Sequence, residues 1–261
     1  MIWRLSVLVL PVAAGLGWAV ATDANSRTIG SMMLASVVAA CLIAIRHLRS
    51  MPVNPTGLVM VALLIATAVV GIEHDGARRW VAIGPIVLTA SLVCMPPLAV
   101  LAARAKRSWL IGGLAAVLLA GLLQPDGSIL LALSGIIAGL ARRNFAIWTA
   151  ALLCAGLGMA MALTDGRAGV RGVEHVLQDA WTSEPAAAVV LAGAFAAALG
   201  ILAFVLPARR LPGSQTRALA GCLFMLLVAS FLGPYPTPLI GLAPSAVLGT
   251  GLGLAMLGRA R

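Results

Sequence analysis

The sequence predicts an all-α polytopic membrane protein of about ten transmembrane helices, with both termini cytoplasmic. Three observations lead there. The 261 residues are 61% apolar and only 10% charged, where soluble domains carry roughly 25% charged residues. Apolar runs recur along the whole chain, and a spanning helix needs ~20 mostly apolar residues. The charges lie between those runs and are sorted by sign.

Candidate spans fall near 4–22, 28–45, 56–72, 82–103, 109–123, 128–141, 145–163, 186–206, 218–233 and 238–258. Lipid offers no partner to backbone polar groups, so each run is expected to be helical. The first run follows a single arginine and resembles a signal peptide; with so many later spans it is expected to stay as a first helix. Residues 128–141 supply too little apolar length for a core of ~30 Å. Either Gln124–Ser128 dips below the surface, or 109–141 is a shallow hairpin beside eight full spans. No internal repeat or long linker interrupts the chain, which predicts one transmembrane domain over 1–261. Abundant glycine suits close helix packing.

Placing the N-terminus inside puts thirteen basic residues on the inner side: Arg4, Arg46, Arg49, Arg104, Lys106, Arg107, Arg142, Arg143, Arg209, Arg210, Arg217, Arg259 and Arg261. Five are left outside (Arg27, Arg78, Arg79, Arg167, Arg171), and all eight acidic residues are outer. This is the basic bias that orients membrane proteins. The net charge of +10 is therefore a topology signal, because the basic residues are scattered in twos and threes and form no nucleic-acid patch. The four cysteines sit inside apolar runs without CxxC spacing, and no Walker, HExxH or GxSxG pattern occurs. No metal ligand set is expected.

Four outer segments hold the remaining polarity. In residues 71–91, Arg78 and Arg79 stand near Glu73 and Asp75, against the positive-inside rule. They either pair with those acids or capture a phosphate through paired hydrogen bonds. Gln124-Pro125-Asp126-Gly127-Ser128 reads as a turn with Asp126 or Ser128 capping the next helix. In the long loop 164–185, Val173, Val176, Leu177, Ala180 and Trp181 follow the spacing of an amphipathic helix. On that spacing His175 and Asp179 lie one turn apart and can pair, as a general base or as a solvated face. Residues 233–245 carry several prolines and glycines and form either a broken helix lining a cavity or a tight hairpin.

Taken together, these segments resemble the SEDS family (shape, elongation, division and sporulation), which includes RodA, FtsW and SpoVE. Gly76-Ala77-Arg78-Arg79-Trp80 resembles the family's G-S-R-R-W. Gln124–Ser128 resembles Q-P-D-x-G-T with one residue fewer. Pro238-Leu239-Ile240-Gly241-Leu242-Ala243-Pro244-Ser245 lines up with P-F-V-S-Y-G-G-S. The order, spacing and sidedness agree over nearly the whole chain. The resemblance implies a cell-wall protein of the bacterial cytoplasmic membrane that polymerises undecaprenyl-linked lipid II, usually beside a single-pass penicillin-binding partner. It implies Arg78, Arg79, Trp80, Asp126 and Ser245 as substrate contacts, and Asp179 with His175 as the catalytic pair. No definite cofactor is implied; a divalent cation is left open.

The sequence also departs from the family. Leu92 and Met95 replace the Glu and Lys of Q-P-S-E-x-x-K, of which only Ser91 survives. Leu177 stands where the family's Asp would align, and Asp179 is the nearest carboxylate. The final G-G-S has become Ala243-Pro244-Ser245. Two mechanisms thus stand side by side, a glycosyltransferase and a catalytically inactive scaffold or regulator. A small transporter is a third class, but it would require charge pairs deep within spans, and the sequence offers none.

Overall fold

Arg4 joins the two ends of the chain. Its guanidinium donates to Leu254 O at 3.0 Å and Leu257 O at 2.9 Å, the carbonyls left unpaired at the end of the last helix. A cation at that terminus also complements the helix dipole. The computed structural model describes residues 1–74, 77–83, 86–141, 144–167, 173–209 and 211–258. Asp75, Gly76, Arg142, Arg143, Arg171, Arg210, Arg259 and Arg261 lie outside the described residues.

The architecture is that of a polytopic membrane protein, helical apart from one small sheet. Helices α1 (Ile2–Ala21), α2 (Ser26–Ala44) and α3 (Val53–Val70) lead into strands β1 (Ile72–His74), β2 (Ala77–Ile83) and β3 (Ile86–Thr89). Then follow α4 (Ala90–Ala102), α5 (Arg107–Leu123), α6 (Gly127–Leu140) and α7 (Phe145–Leu163). The short α8 (Val176–Ser183) precedes α9 (Pro185–Gly200), which continues through a π turn at Ile201–Val205 into α10 (Leu206–Ala208). Finally come α11 (Gly213–Leu232) and α12 (Pro244–Met256). Asn25, Asp126 and Asn144 cap α2, α6 and α7 by accepting a backbone N–H two residues on.

Six of these helices are long and apolar enough to cross a membrane; α4, α5, α6 and α12 are apolar but shorter. The run at 82–103 is thus not one helix. Its first part belongs to an antiparallel meander in which Val81 pairs Leu88 and Trp80 pairs Thr89. β-branched residues favour the pleat, and Gly84-Pro85 is a turn signal in the sequence, so apolarity alone misplaces the helix start. Likewise the run at 238–258 begins as a turn and becomes helical only at Pro244, a residue suited to a first helical position.

The core centres on α4, α6, α11 and α12. Every residue of α4 but Val93 is buried, and α12 packs on it and on α2. Helices α6 and α11 meet at Gly135 and Gly221. A Cβ on either would stand about 2.1–2.2 Å from the other's carbonyl oxygen. Small residues let the backbones approach this closely, the usual device between apolar helices.

Candidate functional site at the outer face

Strand geometry separates the two adjacent arginines. Successive side chains on a strand point to opposite faces, so Arg78 turns outward and Arg79 inward. Arg78 sits directly across from Glu73 on β1, with Nη2 to Oε2 at 2.9 Å, and donates to Val69 O at 2.8 Å. Both members of that pair are about half exposed (45% and 55%). Arg79 is buried and reaches three other segments. Its Nη2 donates to Asp165 Oδ2 at 2.7 Å, to Pro125 O at 3.2 Å and to the Tyr235 hydroxyl at 3.2 Å. Its guanidinium also lies over the Tyr235 ring, 4.5 Å from the centroid, close enough for a cation–π contact.

Around Arg79 the charges balance. Arg167 holds both oxygens of Asp165, giving that carboxylate two guanidinium partners. Asp126 Oδ2 stands 3.8 Å from Arg79 Nε, beyond hydrogen-bond length, while Asp126 Oδ1 accepts from Ser128 N at 3.0 Å and Ser128 Oγ at 2.6 Å. Two cations and two anions therefore share one buried cluster. Tyr235 closes it by accepting from Gly127 N at 3.0 Å. Gly127 has no room for a side chain, because a Cβ there would be 2.6 Å from Gly158 O. Gln124 donates to Leu64 O and ties the same turn to α3.

Burial alone would lower the Arg79 pKa, but Asp126, Tyr235 and Asp165 outweigh it and hold it above the ordinary value. Burial, and then the Asp126 carboxylate, push the Tyr235 phenol well up. Burial also pushes the Asp165 carboxyl up, against the pull of Arg79.

The long loop forms a second unit on the same face. Val173 O accepts from Thr237 N at 2.9 Å, and Glu174, which is buried, bridges to Pro236. Thr237 follows Tyr235 by two residues, so both units hang on one segment. Helix α8 buries Val176, Leu177 and Ala180 and leaves Trp181 exposed. His175 precedes the helix in the left-handed region (φ 56°). It is not part of the helix, so helical spacing does not set it over Asp179. Its Nδ1 faces Gln178 Nε2 at 3.4 Å. The Asp179 side chain is exposed and, among the described residues, makes no hydrogen bond or ion pair. Ser245 Oγ accepts from Thr89 N at 2.9 Å and pins the sheet to the start of α12. Trp80 is half-buried, opposite Thr89 and Ile72.

Of the residues singled out from the sequence, the fold thus brings Arg79 and Asp126 together and sets Arg78 apart with Glu73. Asp165, Arg167 and Tyr235 complete the cluster. In the sequence they stand only as outer charges or as part of a proline-rich stretch. One signal for Tyr235 was available, since it is the chain's single tyrosine amid three prolines. Among the described residues, no group of three or more His, Cys, Asp or Glu could hold a metal ion.

No protein-family model matches the chain, and no curated protein matches it in sequence. Solved structures do. RodA, the rod shape determining protein of Thermus thermophilus, is 20% identical with a TM-score of 0.74, over 97% of this chain and 94% of its own. An aspartate-to-alanine variant of that RodA gives 0.73, over 97% and 95%. A chain from a peptidoglycan synthase complex, described for its coordination of polymerisation and crosslinking, is 20% identical with a TM-score of 0.65, over 95% and 94%. From end to end, the chain has the fold of RodA.

Proposed function

We propose that this protein is a SEDS-like integral membrane component of peptidoglycan synthesis, tied to cell shape or division and seated in the bacterial cytoplasmic membrane. The single observation that carries the reading is the agreement with the RodA fold along 97% of the chain. The precursor it engages is undecaprenyl-linked lipid II, taken at the outer face where the motif residues gather. Its partner is a single-pass penicillin-binding protein, a reading supported by the similarity to a chain of a peptidoglycan synthase complex.

Two observations bear on the chemistry. The Arg79 charge is already matched by Asp165 and Asp126 within the fold, which favours a scaffold or regulator that binds precursor without turning it over. Half-exposed Arg78 and Trp80 are then the contacts offered to the pyrophosphate. The exposed Asp179 carboxylate, unbonded among the described residues, favours the catalytic reading. In that reading Asp179 takes the proton of the acceptor sugar hydroxyl. The oxygen attacks the anomeric carbon of the donor, and undecaprenyl pyrophosphate leaves with the electron pair of the broken bond.

Purified protein given lipid II, alone and with its penicillin-binding partner, tests both. Polymer from the wild type but not from Asp179→Asn identifies an Asp179-dependent glycosyltransferase. Lipid II binding with no polymer from either chain identifies the scaffold. Absence of both binding and polymer overturns the proposal.

A further inference from the structure

A groove of about 250 Å³ opens on the lipid-facing side between α6, α7 and α11. Its floor is Gly135, Gly139 and Gly221, and Trp148 and Phe224 flank it, each about half exposed. The contact between Gly139 and Arg217 O places its lower end one turn from Arg217. That end belongs to the basic, acid-free side of the bundle. A Cβ on Gly213 would stand 2.9 Å from Arg217 Nη1, so the guanidinium runs back along α11 toward its first turn, away from the groove and toward the headgroup layer. Arg217 is exposed and has no acidic partner among the described residues.

We infer that this groove holds one acyl chain of an anionic phospholipid whose phosphate rests on Arg217. The slot is too small for a helix of ~10–12 Å diameter to sink into, whereas a polymethylene chain fits. A side-chain-free glycine floor between bulky aromatic walls gives such a chain close contact along its length. The cation at the mouth supplies the selectivity, since basic pockets between helices on this side of a membrane bind anionic headgroups. The inference is independent of any action on lipid II, because it concerns the opposite end of the bundle from Arg79 and Asp179.

Native mass spectrometry of the delipidated protein, titrated with equal phosphatidylglycerol and phosphatidylcholine, tests it. The wild type should retain one lipid and favour phosphatidylglycerol roughly fivefold. Arg217→Gln should bind the two lipids equally. Ala155→Phe, which fills the groove from the α7 side, should retain neither while its helicity and melting are kept. Glycerol 3-phosphate, which has the headgroup charge but no acyl chain, should not displace the lipid. Equal binding of both lipids by the wild type overturns the inference, as does an unchanged preference in Arg217→Gln. Persistent lipid in a folded Ala155→Phe, or two copies paired across the groove in its place, does the same. Should Ala155→Phe fail to fold, the Arg217→Gln comparison decides alone.

Discussion

Arg79 and Asp165 meet at 2.7 Å across 86 residues of chain, joining β2 to the segment just after α7. Their side chains are only 4% and 6% exposed. In water such a pair would be worth little, but here loss of either charge leaves the rest of the cluster unbalanced, with Arg167 alone on Asp165 or Asp126 alone beside Arg79. Arg79→Gln should therefore destabilise the protein by about 3–5 kcal/mol, leaving Asp165 and Asp126 partly uncompensated. Arg78→Gln, next to it in sequence but half exposed, should cost less than about 1 kcal/mol. Denaturant unfolding in detergent compares the two, and equal losses would refute the division of labour between them.

The Tyr235 phenol makes the same cluster visible to spectroscopy. Its folded-state pKa is raised, so the folded chain holds this proton more tightly than the unfolded chain does. By linkage that contribution is fully present below the unfolded value of ~10 and is lost as pH rises through the folded value. Arg79, also raised, acts in the same direction at higher pH. Because the chain has one tyrosine, phenolate absorbance reports Tyr235 alone. At pH 11 the folded protein should show almost none, and the signal should appear together with loss of helicity. Smooth titration near pH 10 in the folded state would sink this.

Which parts of this were legible in sequence follows from how each signal is encoded. Long apolar runs and charge sidedness are local and redundant, so the polytopic architecture could be read directly. The sheet at 72–89 could not, because a strand in a very apolar chain and the first turns of a spanning helix look alike without length or period to separate them. The Arg78 and Arg79 pair was visible as a pair. That strand alternation sends one outward and one inward depends on the sheet, and so on knowing that β2 is a strand. Asp165 was hidden for another reason, since its role comes from a contact 86 residues away that no spacing rule encodes. The expected partnership of His175 with Asp179 assumed that both were helical, and His175 is the non-helical residue before α8.

Glycine packing gives a prediction about the membrane-facing half. Gly221→Ala would push a methyl group against Gly135 O and force α6 and α11 apart, at a cost of about 1–3 kcal/mol. Gly156→Ala on α7 has open space around the new methyl and should cost nothing measurable. Parallel thermal melts of the two variants check this; equal behaviour would mean that the α6–α11 contact is not tight.

Asp179 and Asp165 are both outer-loop carboxylates, and their substitutions should fail in different ways. Asp165→Asn removes the charge that buried Arg79 and partly buried Arg167 share, so the cluster loses balance and the chain should unfold more readily. Asp179→Asn touches no hydrogen bond and gives up only a carboxylate near the start of α8. That favourable dipole contact is worth about 0.3–1 kcal/mol. If Asp179 is the base, Asp179→Asn should abolish polymer formation from lipid II while melting within a few degrees of wild type. Asp165→Asn should lose polymer only in proportion to the folded protein lost. Measuring melting and polymer yield on the same preparations separates the two outcomes. A stable, fully active Asp179→Asn would remove this carboxylate from the chemistry altogether.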